Sequence, residues 1–402
     1  MKTPAHSWWQ NVPLALLLAW PASGCGGQVD LGGRPSTSTH VGGAGGAGSS
    51  PVGNDNVSQP VAKLADDFAA GSLAVAGDYL YLGGWDGHSS GLYRCQKRAC
   101  GGTLERVDST GGFNTLQVYD MRLGVVRDTG TSWIGSYALP SLSDPQTAIV
   151  DLPNGGPFGV LFEDGFVYWS LPEDGNFYRC GLPSCPAGAE QIGHLQAADW
   201  RVSATGDQVF WSDASYIYRA GEHGQAPTQR LEPDEVLSKS AVSPDELSDV
   251  PSLQRVLSVT ASAGMLYAAL TDAESVVNSA SKPGCHADCS SRLVRWPATG
   301  GPREDLLQVE KTLGKVFVFG DELAWLGVGS TAVTSLDAAT LSSCRIAECA
   351  AMRRDLGLVK ADLRGLVADE TDFYWLEMEA VPMNGSLSLL DRQIRRAPRS
   401  PH

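Results

Sequence analysis

From about residue 61 onward the chain keeps returning to one pattern: a Gly or Asp turn, then alternating residues that end on an aromatic. It reads Gly77-Asp78-Tyr79-Leu80-Tyr81-Leu82, Asp164-Gly165-Phe166-Val167-Tyr168-Trp169 and Gly206-Asp207-Gln208-Val209-Phe210-Trp211. It returns as Gly264-Met265-Leu266-Tyr267-Ala268, Gly320-Asp321-Glu322-Leu323-Ala324-Trp325 and Thr371-Asp372-Phe373-Tyr374-Trp375, with a degenerate copy ending at Trp133. Taking Leu82, Trp133, Trp169, Trp211, Ala268, Trp325 and Trp375 as equivalent gives intervals of 51, 36, 42, 57, 57 and 50 residues. Self-similarity at such a period constrains the fold more than any local signal.

A second element follows most copies, a short strand with an aliphatic or aromatic residue before Arg. It reads Leu92-Tyr93-Arg94-Cys95, Phe177-Tyr178-Arg179-Cys180, Ile217-Tyr218-Arg219, Leu293-Val294-Arg295-Trp296 and Gln393-Ile394-Arg395. Apolar stretches on either side complete four short strands per unit, at 73–76, 79–83, 91–95 and 103–107 in the first. Four strands per unit, with turn signals and little helix, predict an all-β β-propeller. The 46 glycines and only 19% charged residues suit short strands and turns. The units resemble the blades of bacterial propellers of the NHL and YWTD kind over roughly 340 residues, without the strict Tyr-Trp-Thr-Asp tetrapeptide. Seven blades fit best, with six or eight open because the second unit is faint. The last unit stops after its third strand, and Pro60–Asp66 reads as the outer strand that completes it and closes the ring.

Eight cysteines follow the repeat in four local pairs. Cys95 with Cys100, Cys180 with Cys185 and Cys344 with Cys349 sit where a third strand ends and a fourth begins, and facing residues there lie within disulfide reach. A four-sulfur zinc site is the rival reading. Its pairs would have to come from different blades. The fourth pair, Cys285 and Cys289, brackets His286 and Asp288 inside an insertion. It reads as a disulfide staple on a long loop, with a metal site as the alternative.

The insertions 270–291, 327–341 and 377–391 are expected as strand 2–3 loops and 234–255 as a loop between blades. All four would share one rim, and long loops on a rigid scaffold are where binding concentrates. The candidate binding residues are Asp234, Glu235, Asp245, Glu246, Asp249, Asp272 and Glu274, with Glu377 and Glu379 nearby. They read either as an acidic patch for a cationic partner or Ca²⁺, or as a solvated variable surface.

The first 24 residues form a targeting segment, whose nine-residue apolar stretch Val12–Trp20 is too short to span about 30 Å of hydrocarbon. It ends in Ala22-Ser23-Gly24-Cys25, which resembles the lipobox of bacterial lipoproteins. That resemblance implies lipid on Cys25, cleavage before it, and further acylation, enough chains for firm anchoring. Gly26 after the cysteine implies sorting to the outer membrane. An ordinary signal peptide is the alternative. Residues 25–59 are a Gly/Ser-rich tether of about 30–35 Å mean span. Its Gly43–Gly48 match to a dinucleotide-binding loop lacks the flanking strand and helix.

A formal charge of −15 argues against nucleic acid. No H-E-x-x-H, G-x-S-x-G or phosphate-loop motif occurs, and the histidines show no ligand spacing. The expectation is a monomeric, membrane-anchored, non-enzymatic binding or scaffolding lipoprotein of the cell envelope, with no catalytic residue, no metal and no cofactor. Its partner would be a protein or glycan. The alternative is a propeller enzyme, a lyase or hydrolase acting on a small molecule or polysaccharide.

Overall fold

A computed structural model describes residues 58–400 apart from internal stretches, the longest being 195–201, 222–228, 232–253, 273–290 and 329–337. Cys25 and the tether to residue 57 lie outside the described residues. The fold is a β-propeller, with twenty-eight strands and almost no helix among the described residues.

β1 (Gln59–Lys63) precedes a meander of β2 (Ala69–Ala76), β3 (Tyr79–Trp85), β4 (Ser90–Gln96) and β5 (Glu105–Asp108), with the one-turn helix α1 (Cys100–Thr103) before β5. The second meander is β6 (Gly112–Tyr119), β7 (Arg122–Asp128), β8 (Ser132–Ala138) and β9 (Thr147–Leu152). The third is β10 (Phe158–Glu163), β11 (Phe166–Ser170), β12 (Asn176–Gly181) and β13 (Glu190–His194). The fourth is β14 (Val202–Thr205), β15 (Gln208–Ser212), β16 (Ile217–Gly221) and β17 (Gln229–Leu231). β18 (Gln254–Ser262), β19 (Met265–Asp272), β20 (Ser291–Pro297) and β21 (Glu304–Val309) follow. Then come β22 (Thr312–Phe319), β23 (Glu322–Val328), β24 (Ala338–Arg345) and β25 (Arg354–Lys360). The chain ends on β26 (Val367–Ala368), β27 (Asp372–Met383) and β28 (Ser386–Pro398).

Five sheets are four-stranded and antiparallel in chain order, and one has eight strands. In the large sheet, the strand pairing between β2–β5 and β26–β28 rests on a single residue pair, Ala70 with Asp391, and β1 pairs antiparallel with β28. The strand expected to close the ring is therefore the one that pairs the two ends of the propeller.

A bulge recurs in the outermost strands. Opposite the same point of the third strand, in every four-stranded meander except β14–β17, one apolar residue is extruded from the ladder: Val107, Ile149, Ile192, Leu306 and Leu356. Ile149, Ile192, Leu306 and Leu356 are buried, so the bulge turns an extra aliphatic side chain into the core. β1 carries the same feature at Val61, between the pairs Pro60–Arg395 and Ala62–Ile394.

The recurring aromatics form the core between successive sheets. Trp169, Trp211, Trp325 and Trp375 are fully buried. Trp325 packs among Tyr267, Leu293 and Leu306 of the preceding sheet, and Trp375 among Leu341 and Leu356. Polar side chains join neighbours: the Ser72 hydroxyl donates to the Phe113 carbonyl, and the Gln117 amide bonds both backbone groups of Phe162. Ser258 Oγ accepts from the Val316 N–H.

The second unit corrects one equivalence. Trp133 lies on β8, a third strand, and register makes Val125 the counterpart of Leu82 and Trp169. The turn before β7 is Asp120-Met121, with φ of 39° and 58°, so a primed turn forms without the glycine that marks most of the others. Gly124 then stands where most other copies carry an aromatic, because a Cβ there would lie 2.6 Å from the Phe162 ring. Phe162 occupies that space and stacks on Tyr119 at 4.9 Å.

Three disulfides are present among the described residues, Cys95–Cys100, Cys180–Cys185 and Cys344–Cys349, with Cα separations of 4.7, 5.6 and 4.9 Å. They do not join facing residues of a hairpin, as expected. Each first cysteine ends a third strand and each second one lies in the connection beyond it, so the bond cinches a short turn. The fourth expected bond, between Cys285 and Cys289, is not among these three. Cys285 and Cys289 both fall in 273–290, outside the described residues.

Candidate functional site

Three of the longest connections share one edge of the sheets. Residues 232–253 join β17 to β18, 273–290 join β19 to β20, and 329–337 join β23 to β24. Gln254 pairs with Asp272, and Thr312 with Val328, so these connections all meet the edge where first strands begin and second strands end. Asp272 is the last residue of β19 on that edge. Asp234, Glu235, Asp245, Glu246, Asp249 and Glu274 lie outside the described residues.

The fourth expected insertion, 377–391, is not a loop. β27 and β28 continue their pairing through it, from Glu377–Gln393 to Met383–Ser386. Alternating Val381, Leu387 and Leu389 around Asn384-Gly385 make a hairpin signal, and it outweighs the reading as an insertion. Glu377 is buried and pairs with Arg395 at 3.0 Å, so it serves the sheet and not the rim.

On the same edge, at the first meander, Trp85 is 44% exposed. Beside it the Asp86 carboxylate accepts the N–H groups of Ser89 and His88 at 2.9 and 3.0 Å. Those bonds, Ser89's first, hold it down to about 2. Arg106 pairs with Asp86 at 3.3 Å and lies over the Tyr93 ring, whose phenol burial pushes up to about 12. In the next sheet Arg127 lies 4.5 Å over Trp133. Asp86 is thereby held ionised and Tyr93 protonated at neutral pH, and together with Trp85 and Arg106 they form a charged and aromatic contact surface.

The recurring Arg of the third strands is chiefly structural. Arg94, Arg179 and Arg295 each bind the carboxylate facing them on the fourth strand, Glu105, Glu190 and Glu304. Arg94 and Arg219 also donate to carbonyls of the following sheet, at Pro140 and Ala298. Register places Tyr81 opposite Arg94 and Tyr374 opposite Arg396, so the last copy of the motif is Arg396, one residue beyond the Arg395 expected.

Concavity lies on the opposite edge, where β1–β5 meet β26–β28. Two adjoining clefts of about 380 and 420 Å³ share Lys97, Arg98 and Arg396. The smaller is completed by Pro60 and Val61. The larger is lined by the turns carrying Asp78 and Asp372, with Tyr79, Gln96, Thr371 and Tyr374. Lys97 Nζ reaches Asp369 Oδ2 at 2.7 Å. The signal in the sequence was slight: one Lys-Arg dipeptide in an acidic chain.

No protein-family model matches the sequence, and no relative is found among curated proteins. Among solved structures the chain is similar to a computationally designed protein, Ika8, at 10% identity and TM-score 0.48, over 85% of this chain and all of that one. It is also similar to the AfRom2 CNH domain, at 10% identity and TM-score 0.49, over 86% of this chain and all of that domain. A prolyl endopeptidase matches at 10% identity and TM-score 0.48, over 83% of this chain and 50% of the enzyme.

Proposed function

We propose that this chain is a lipid-anchored, non-enzymatic binding module of the bacterial cell envelope, built on a seven-bladed propeller. The bulge at Val61 supports the count: β1 carries the mark of a fourth strand, which makes β26, β27, β28 and β1 a blade of their own beside β2–β5. The anchor reading rests on Ala22-Ser23-Gly24-Cys25 and the Gly-rich run after it. Binding rests on one observation, that the connections 232–253, 273–290 and 329–337 belong to one edge of neighbouring sheets. A rigid scaffold that gathers its longest loops at one edge presents a contact surface there. A protein or glycan of the envelope is the partner class, and the outer membrane the expected location.

Two measurements test it. Feeding a bacterial host an alkyne fatty acid should label the full chain and not its Cys25→Ala variant; equal labelling of both, or of neither, sinks the anchor. Replacing 234–249 by a short Gly-Ser linker should abolish capture of envelope components and leave the melting curve unchanged. Undiminished capture would move binding away from this edge.

A further inference from the structure

We propose that the cleft at the joint between the first and last meanders is a second binding site, taking a small zwitterion such as a short peptide with free ends. It lies on the edge opposite the long connections and stands independently of the reading above.

The case begins with how this protein treats its arginines. Arg94, Arg106, Arg179, Arg295, Arg395 and Arg399 each hold a carboxylate. The side chains of Arg98 and Arg396 have no ion pair or hydrogen bond among the described residues, in a chain with 45 acidic residues to offer. Both line the same cleft. Asp369, beside the cleft, is already committed: it takes Lys97, the N–H groups of Thr371 and Asp372, and the Thr371 hydroxyl.

The same cleft holds anions without a cation. Asp78 and Asp372 line it, and among the described residues neither makes an ion pair. Among the described residues the Asp372 carboxylate accepts only from the Thr371 hydroxyl, at 2.9 Å. Two such arginines and two such aspartates therefore line one space of about 420 Å³, inside the range of small-molecule sites.

This arrangement selects by charge. A simple anion meets Arg98 and Arg396 but also two carboxylates and a protein of net charge −15. A simple cation meets two guanidiniums. A molecule carrying both signs meets neither penalty, and each end gains charge-assisted hydrogen bonds. Tyr79 adds ring surface, with one face already covered by Arg94 at 4.9 Å, while Tyr374 is fully buried beneath the cleft. Burial, with the Asp369 carboxylate beside it, raises the Tyr374 phenol, which stays protonated.

Calorimetric titration of the full chain with trialanine, N-acetyl-trialanine and trialanine amide tests the site. Free trialanine should bind saturably, and capping either end should weaken it by about tenfold or more. In Arg396→Gln or Arg98→Gln the amide should bind as well as the free acid, and in Asp372→Asn the acetylated form should match the free amine. Arg98 is exposed on a turn, so its variant reads binding even if Arg396→Gln disturbs β28. Equal binding of free and capped peptides overturns the proposal. So does the absence of saturation by about 10 mM, or inorganic phosphate binding as tightly as trialanine.

Discussion

Lys97 and Asp369 form an ion pair at 2.7 Å across the joint between the first and last meanders, 272 residues apart in the chain. Burial pushes the Asp369 carboxyl up, yet Lys97 and the N–H groups of Thr371 and Asp372 outweigh it and bring the group down to about 2 from an ordinary 3.8. A carboxylate lowered by folding contributes stability that is present above its unfolded value and lost as pH falls through the folded one. Asp369→Asn should therefore cost on the order of 2 kcal/mol at pH 7. The gap from the parent should close between about pH 4 and pH 2. Urea unfolding at several pH values measures this, and a constant gap would contradict it.

Glu163 has the opposite sign. Burial, with Asp164 beside it, pushes its carboxyl up to about 7. Its contribution is intact below the unfolded value and is lost as pH rises through the folded one. Glu163→Gln should be neutral near pH 4 and stabilising by about 1–3 kcal/mol at pH 8. Paired denaturant titrations at the two pH values decide it.

Replacing the cysteines of one disulfide by serine should cost about 2 kcal/mol, since each loop is short. Costs should add between sheets that share no contact. Cys95–Cys100 and Cys344–Cys349 are almost fully buried, whereas Cys185 is only partly so. Cys180–Cys185 should accordingly be reduced first, as alkylation followed by mass spectrometry will read.

Gly83 is held by close approach. A Cβ there would sit 2.0 Å from the Phe113 carbonyl oxygen, the same oxygen that takes the Ser72 hydroxyl. Backbone cannot yield as a side-chain tip can, so Gly83→Ala should cost about 3 kcal/mol or more, like other overpacked core sites. Gly102→Ala, with nothing within 4 Å of the added carbon, should fall within about 0.5 kcal/mol of the parent. Thermal melts of the two variants side by side test the contrast.

Much of the fold was legible in the residues because its signals are local. Alternation with a period of two sets which side chains enter the sheet faces, so Trp169, Trp211, Trp325 and Trp375 could be read as core. The unpaired apolar segment after the tether could be matched to a final unit short of one strand, and cysteines four residues apart could be paired by reach alone. The second unit escaped because Asp120-Met121 turns without glycine, and because Gly124 is small only to admit Phe162 from another sheet. The span 377–391 reads as an insertion by its length, whereas its pairing runs on to Met383–Ser386.

The candidate sites divide along the same line. The sequence by itself determined strand order, the third-strand cysteines and the edge to which the long connections belong, since each depends on neighbours in the chain. Only the tertiary structure decided that Lys97 meets Asp369, that Arg396 and not Arg395 faces Tyr374, and that Asp78, Arg98 and Asp372 line one cleft. The physical reason is closure of the ring. It juxtaposes turns hundreds of residues apart, and the one-residue register of β28 against β27 and β1 chooses which arginine faces the cleft.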